Sequence, residues 1–231
     1  MTVARPPLHP LDHPIWFALI TRQSALAQGG ARARRYPPDI APFADIVDSS
    51  PETFAALGGL MAPSDYVVLF TPEAVDPPAA FKVLLAKTLE QMVGTPTEAP
   101  GTGDIVSLGA ADVPDMIELT KLTNPGPFAA RTHELGTFLG IRAGGQLVAM
   151  AGERMKPANF TEITAVCVHP DHRGRGYAQA LLGAVARGIV ARGEIPFLHV
   201  FSDNDSAIAL YRRQGMEIRH RLCVTVLGKA T

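Results

Sequence analysis

Cysteine is scarce in this chain of 231 residues, and neither sign of charge is in excess. The two cysteines, Cys167 and Cys223, lie in apolar runs that are typical of strands, which favours two separate core thiols over a disulfide. No cysteine or histidine spacing matches a zinc site, so we expect no metal. With 21 basic and 22 acidic residues the formal net charge is −1, which provides no long-range field to attract nucleic acid or an anionic membrane.

Long apolar runs are also missing. None reaches the ~18 residues that a membrane-spanning helix needs, and prolines stand near the N-terminus where a signal peptide has its apolar core. We therefore expect a cytoplasmic protein with no membrane partner. Apolar residues nevertheless make up 47% of the chain and charged residues 19%, which is typical of a globular protein of one large or two small domains. The oligomeric state stays open.

A segment rich in glycine, proline and threonine, residues 94–103, predicts a linker between two halves. We predict an N-terminal α/β region over residues 1–93 and a second domain over residues 104–231. In the first half we expect helices from Pro14 and near residues 52–60, and short strands at residues 33–36, 43–47 and 66–70. Residues 81–89 fit a strand or a helix. No chemistry stands out in this half.

The second half has a clearer periodicity. We expect strands at residues 105–108, 137–142, 147–153, 162–168, 196–201 and 222–227, and helices at residues 111–122, 177–190 and 206–214. Strands that alternate with helices in this order predict a mixed α/β sheet.

The segment Glu162–Ala178 carries the strongest chemical signal. It predicts a strand, then a glycine-rich turn, then a long helix. Free backbone N–H groups and the dipole at a helix N-terminus attract anions. Gly174 and Gly176 lack the Cβ atoms that would hold a phosphate away, and Arg173 and Arg175 add positive charge. The segment therefore predicts a pyrophosphate cradle.

Three kinds of phosphate-binding turn could account for this pattern. A P-loop needs Gly-Lys-Ser/Thr after the turn, which is missing. A dinucleotide fold needs a third glycine where Gln179 stands. The remaining pattern, Arg173-x-x-Gly176-x-Ala178, resembles the coenzyme A signature of the GNAT superfamily. On this pattern alone, a surface turn rich in arginine and glycine remains an alternative.

A second block strengthens the resemblance. The segment Asn204–Met216 is similar to the GNAT block Asn-x-x-Ala-x-x-Leu-Tyr-x-x-x-Gly-Phe, with Met216 in place of the phenylalanine. The resemblance covers roughly residues 103–227. It implies a mixed, splayed β-sheet flanked by helices and opened between its fourth and fifth strands, with the smaller α/β region preceding it.

The resemblance implies an enzyme that transfers an acyl group, most simply acetyl from acetyl-CoA, to an amine by direct attack in a ternary complex. It places the pantetheine arm against the backbone of Val166, Cys167 and Val168. The positions implied to bind the pyrophosphate are Arg173, Gly174, Arg175, Gly176, Tyr177 and Ala178. It also places Asn204 against the pantetheine arm, and Tyr211 near the thioester sulfur as the acid that protonates the leaving thiolate.

Glu162 is the candidate general base. Strand alternation puts it on the same face as Val166 and Val168. It also stands eleven residues before Arg173, the spacing of the glutamate base in the histone-acetylating branch of the superfamily. The alternative is a solvated carboxylate at a strand end. We expect His199 to be a hydrogen-bonded core histidine.

The first half resembles the degenerate N-terminal portion found in some GNAT proteins, including relatives of glycine N-acyltransferase. We expect it to cover one side of the acceptor cleft. His133 and Glu134 fall where the family places its acceptor-binding loop, so they are candidates for substrate contact. A non-catalytic acyl-CoA-binding sensor with the same fold is the alternative function. Whether the amine belongs to a small molecule, a peptide or a protein is open.

Overall fold

The structure, a computed structural model, describes residues 9–97 and 104–230. Its strands are β1 Gln28–Gly29, β2 Ala33–Arg35, β3 Ala44–Ile46, β4 Tyr66–Thr71, β5 Phe81–Val93, β6 Ile105–Leu108, β7 Phe138–Ala143, β8 Gln146–Glu153, β9 Phe160–Val168, β10 Ile195–Phe201 and β11 Glu217–Lys229. Its helices are α1 Pro14–Ile20, α2 Pro51–Gly59, α3 Val113–Thr123, α4 Tyr177–Ala191 and α5 Asp205–Arg213.

Eight strands form one mixed sheet in the order β4-β11-β5-β10-β9-β8-β7-β6, and β1, β2 and β3 form a small antiparallel sheet beside it. All neighbours in the large sheet are antiparallel except β9 and β10, which are parallel. The mixed α/β fold expected from the sequence is therefore confirmed.

Helices cover both faces of the large sheet. On one face, α4 buries the apolar stripe that its sequence predicts, with Leu181, Val185 and Ile189 packed against the sheet residues Ile163 and Leu198. The opposite face is covered by α1 and the segment 36–43 at one end, and by α3 at the other. The small sheet packs with α2 against Val67 and Leu69 of β4 in a separate cluster. The resulting three layers bury a core on each side of the sheet.

Two strands of the large sheet come from the N-terminal half. β4 forms one edge, and β5 lies between β10 and β11, pairing with both. The ambiguous residues 81–89 therefore belong to a strand, because this stretch pairs with β11 and its last residue, Leu89, also pairs with β10. The predicted halves share one sheet, and the division at residues 94–103 stays a prediction, since residues 98–103 lie outside the described part of the chain.

The remaining elements agree with expectation, apart from their ends. The helix expected at residues 111–122 begins with a 3₁₀ turn, Ala110–Asp112, and continues as α3. Both cysteines are free thiols, with Cys167 buried and Cys223 partly exposed. Within the described residues, no helix combines the length and the apolar character needed to cross a membrane.

Candidate active site

The large sheet opens between β9 and β10. Their parallel pairing covers three positions and ends where Phe197 faces Glu162. Beyond this point β10 continues to pair with β5 through Phe201, while β9 continues to pair with β8 through Val168. The two strands therefore diverge and leave a cleft between their C-terminal halves, as the resemblance implied.

A β-bulge at Ala165 changes which side chains of β9 share a face. Ala165 has a φ of +52°, and the register between β9 and β8 shifts at this point. As a result Ile163 packs with Val166 and Val168 in the core beneath α4. The expectation that Glu162 shares a face with these two valines is wrong, because the bulge displaces the alternation by one residue.

The backbone direction along β9 identifies which peptide groups face the cleft. The amide of His169 donates to the carbonyl of Val148 on β8, 2.8 Å away. The backbone N–H and C=O groups of successive residues alternate in direction along a strand. Those of Cys167 therefore also point toward β8 and pair with it, whereas those of Val166 and Val168 point toward the opening. Two of the three residues expected to pair with pantetheine therefore offer free backbone groups to the cleft.

The predicted cradle, residues 173–178, follows β9 after a 3₁₀ turn, Pro170–His172, and includes the first two residues of α4. Gly174 and Gly176 have left-handed φ values of +74° and +77°, which favour glycine. A Cβ atom at Gly174 would meet no protein atom within 4 Å, so the space in front of the turn is open. Arg173 and Arg175 are exposed there, and the first amides of α4 have no intrahelical acceptor. These features fit a diphosphate group.

The second motif lies on the other wall of the cleft. Asn204 caps α5, with its Oδ1 accepting from the amide of Ala207 at 3.2 Å. Tyr211 lies two turns further along the helix, and all three residues line the cleft. Burial raises the pKa of Tyr211 to about 12, so its hydroxyl keeps its proton at neutral pH.

Glu162 is completely buried beside the cleft in a network of charged and polar groups. Arg154 donates to both of its oxygens, Nε to Oε2 and Nη2 to Oε1, each at 2.7 Å. Nδ1 of His199 lies 2.7 Å from Oε1. Burial by itself would raise the pKa of Glu162, but the charge and hydrogen bonds of Arg154 and the contact with His199 outweigh it and lower the pKa to about 2.

His199 has partners at both ring nitrogens, as a core histidine should. Nδ1 donates to the carboxylate of Glu162, and Nε2 lies 3.0 Å from Nε2 of Gln91. The same amide nitrogen of Gln91 donates to the carbonyl of Leu11 at 2.8 Å. Because an amide nitrogen only donates, Nε2 of His199 accepts, and the ring is the neutral tautomer that carries its proton on Nδ1.

This geometry does not suit Glu162 as a general base. A carboxylate with a pKa of about 2 holds a proton weakly at neutral pH. Both of its oxygens are also occupied by Arg154 and His199. The expectation of a solvated carboxylate is equally wrong, since Glu162 is fully buried.

The cleft has a volume of about 330 Å³. Its walls come from both halves of the chain. From the first half it receives Phe43, Tyr66, Val68, Phe70, Leu85 and Leu89. From the second half it receives residues 124–127, 163–166, 198–201, 204, 207 and 211, together with Arg154, Val224 and Val226. The N-terminal half therefore covers one side of the cleft, as expected.

Arg154 was missed by sequence reasoning. Its guanidinium lies 4.4 Å from the ring centre of Phe43 and lines the cleft. No local signal in the sequence could have found it, because its position opposite Glu162 depends on the register between β8 and β9. His133 and Glu134, in contrast, lie outside the set of described residues that line the cleft; Glu134 pairs with Arg131 at the surface.

Known proteins resemble this chain in both sequence and structure. Residues 138–224, which include β9, the cradle and α5, match the family described as FR47-like protein. A crystal structure of a protein assigned as a GNAT-family acetyltransferase, from Novosphingobium aromaticivorans, superposes with a TM-score of 0.90. It is 42% identical, and the match covers 97% of this chain and 100% of that one.

Two further relatives are more distant. The N-alpha-acetyltransferase RimI of Mycobacterium tuberculosis is 37% identical over 102 residues, which is 41% of this chain and 63% of RimI. The match thus spans less than two thirds of the length of that curated relative. A GCN5-related N-acetyltransferase from Kribbella flavida has a TM-score of 0.63 at 16% identity, covering 94% of this chain and 96% of that one, which shows the shared fold.

Proposed function

Because this chain belongs to the GNAT family of acetyltransferases, we propose that it transfers the acetyl group of acetyl-CoA to an amine by direct attack within a ternary complex. The opening between β9 and β10 carries the proposal, since it exposes backbone groups of β9 beside a protonated tyrosine. The glycine-rich turn at residues 173–178, which follows β9 in the chain, supports it. The name of RimI supports an amine as acceptor. A cytoplasmic location stays a prediction.

The cofactor end of the cleft binds and orients the donor in this proposal. Residues 173–178 hold the pyrophosphate through backbone amides, and the peptide groups of Val166 and Val168 pair with the pantetheine arm. Asn204 contacts the same arm through its free amide group, because its Oδ1 is used as the helix cap. A backbone amide of β9 near the bulge at Ala165 stabilises the negative charge that develops on the thioester oxygen.

Tyr211 completes the transfer. The amine nitrogen attacks the thioester carbonyl, the carbon–sulfur bond breaks, and the hydroxyl of Tyr211 donates its proton to the leaving sulfur. Solvent water takes the proton that the amine loses and returns a proton to the Tyr211 oxygen, since the described residues lining the cleft include no free carboxylate and His199 has both nitrogens engaged. Glu162 acts as a positioning residue that fixes Arg154 and His199 beside the reacting atoms.

Calorimetric titration with acetyl-CoA, followed by a CoA-release assay with a panel of primary amines, tests this function. We expect binding of acetyl-CoA, amine-dependent release of CoA and an N-acetylated product of the matching mass. A protein that binds acetyl-CoA and acetylates no amine would be an acyl-CoA sensor. A protein that fails to bind acetyl-CoA would contradict the site assignment itself.

A further inference from the structure

The side of the cleft formed by β4, β5, β11 and the segment before β3 is nearly all apolar. Its lining side chains are Phe43, Val68, Phe70, Leu85, Leu89, Val224 and Val226, together with the half-exposed Tyr66. Two prolines, Pro125 and Pro127, line the cleft from the segment that follows α3. A concave apolar wall of this kind favours a ligand that buries apolar surface against it.

Charge within the cleft has one sign. Of the described residues that line it, none is an aspartate or glutamate, and the single charged side chain is Arg154. Its partner Glu162 is 0% exposed and has both oxygens occupied, so it neutralises Arg154 without offering an acceptor to a ligand. A second ammonium group on the acceptor would find no counter-ion here and would lose its hydration.

From this wall and this charge distribution, we propose that the acceptor is a primary amine carried on an aromatic or branched aliphatic body that bears no further cationic group. The proposal rests on the acetyl transfer proposed above. The cleft volume of about 330 Å³ is at the lower end of the range for ligand pockets, roughly 300–1,000 Å³, and the pantetheine arm of the donor takes part of it. The part of the acceptor that enters is therefore small, either a free amine or the first residue of a peptide.

Three acceptors separate these chemistries. The experiment compares 2-phenylethylamine, 1,4-diaminobutane and phenylalanylglycinamide, measuring kcat/KM for CoA release and the affinity of each amine for the CoA-bound protein. We expect kcat/KM for 2-phenylethylamine to exceed that for 1,4-diaminobutane by about 100-fold or more, because only the ring is compatible with the wall. A higher value for phenylalanylglycinamide than for 2-phenylethylamine would identify a peptide N-terminus as the source of the amine.

Leu85 and Leu84 provide a matched pair of variants on β5. Leu85 lines the cleft, whereas its neighbour Leu84 is 52% exposed and lies outside the cleft lining. Leu85→Asp places a carboxylate on the apolar wall, and we expect it to reduce the preference for 2-phenylethylamine over 1,4-diaminobutane by about 10-fold or more. Leu84→Asp, which adds the same charge outside the cleft, should keep the preference of the wild type.

The failure of this inference differs from the failure of the proposed function. If the protein does not bind acetyl-CoA, the proposed function fails. If it binds acetyl-CoA, but its CoA complex binds 1,4-diaminobutane as tightly as 2-phenylethylamine, the acceptor inference fails even when no amine is turned over. An equal loss of preference in the Leu84 and Leu85 variants would also overturn it.

Discussion

Two ionisable side chains at this cleft show how neighbours decide the effect of burial. Burial raises the pKa of Tyr211 to about 12, and no basic group offsets it. Burial would also raise the pKa of Glu162, but Arg154 and His199 outweigh it and lower the value to about 2. Tyr211 therefore has a proton to donate at neutral pH, whereas Glu162 is a poor proton acceptor.

The first prediction concerns Tyr211→Phe, which keeps the ring and removes only the hydroxyl. If Tyr211 donates to the leaving sulfur, kcat should fall by about 100-fold or more. Acetyl-CoA affinity and Tm should stay close to wild type, because the ring still packs beside Ala207 on the cleft wall. Steady-state kinetics and calorimetry check both parts. Retention of kcat would assign the acid role to water or another group.

The second prediction concerns the buried pair of Glu162 and Arg154. Glu162→Gln leaves the Arg154 guanidinium without its carboxylate, which should cost about 3–5 kcal/mol in the free energy of unfolding. Adding Arg154→Met removes the unpaired charge, so the double variant should be more stable than the sum of the single effects predicts. Denaturant unfolding of the four proteins measures this coupling. If the two substitutions change the free energy of unfolding additively, the interaction between Glu162 and Arg154 does not stabilise the fold.

The contribution of Glu162 and Arg154 to the free energy of unfolding should also depend on pH. The folded pKa of Glu162, about 2, lies below its ordinary value of 4.5. Its contribution to stability is therefore complete above pH 4.5 and is lost as the pH falls toward 2. The stability difference between wild type and Glu162→Gln should shrink over this range.

In activity assays the rate deficit of the Glu162→Gln variant should be constant from neutral to alkaline pH. Recovery of its rate at high pH would restore the interpretation of Glu162 as a general base.

Local sequence patterns predicted the helices and strands around the site better than they predicted the contacts between those elements. The strand over residues 162–168, the glycine-rich turn and the helix over 177–190 follow from local patterns, and all are present as β9, the cradle and α4. The bulge at Ala165 was not predictable, because it depends on the register between β9 and β8 rather than on any local signal. It is this bulge that moved Glu162 off the expected face.

The cradle gives the third prediction, with a control at the other end of the same helix. Gly174 and Gly193 share a φ of +74°, and a Cβ atom at either would meet no protein atom within 4 Å. Replacement of either by alanine should cost about 1 kcal/mol of stability through the left-handed backbone alone. Only Gly174→Ala adds a methyl group where the pyrophosphate would lie. Calorimetric titration should therefore show acetyl-CoA affinity lowered by about 10-fold or more for Gly174→Ala and unchanged for Gly193→Ala.

At the scale of the whole molecule, the insertion of β5 decides how the two halves relate. β5 is 13 residues long and pairs with β10 on one side and with β11 on the other. The core on that face joins Phe43, Phe70 and Leu89 from the first half to Phe197 and Leu222 from the second. The sequence left residues 81–89 open between a strand and a helix and could not show their partners, because pairing across more than a hundred residues leaves no local pattern.

The last prediction tests this shared sheet. A protease site inserted between residues 98 and 103 should be cleavable without separating the fragments, because the strand pairs and the core between them persist. The cleaved protein should elute from a size-exclusion column as one species and should still bind acetyl-CoA. Residues 104–231 expressed alone should aggregate or stay unfolded, since β10 and β11 would each lose β5 as partner and expose apolar faces. A soluble, folded fragment of residues 104–231 that binds acetyl-CoA would instead establish two independent domains.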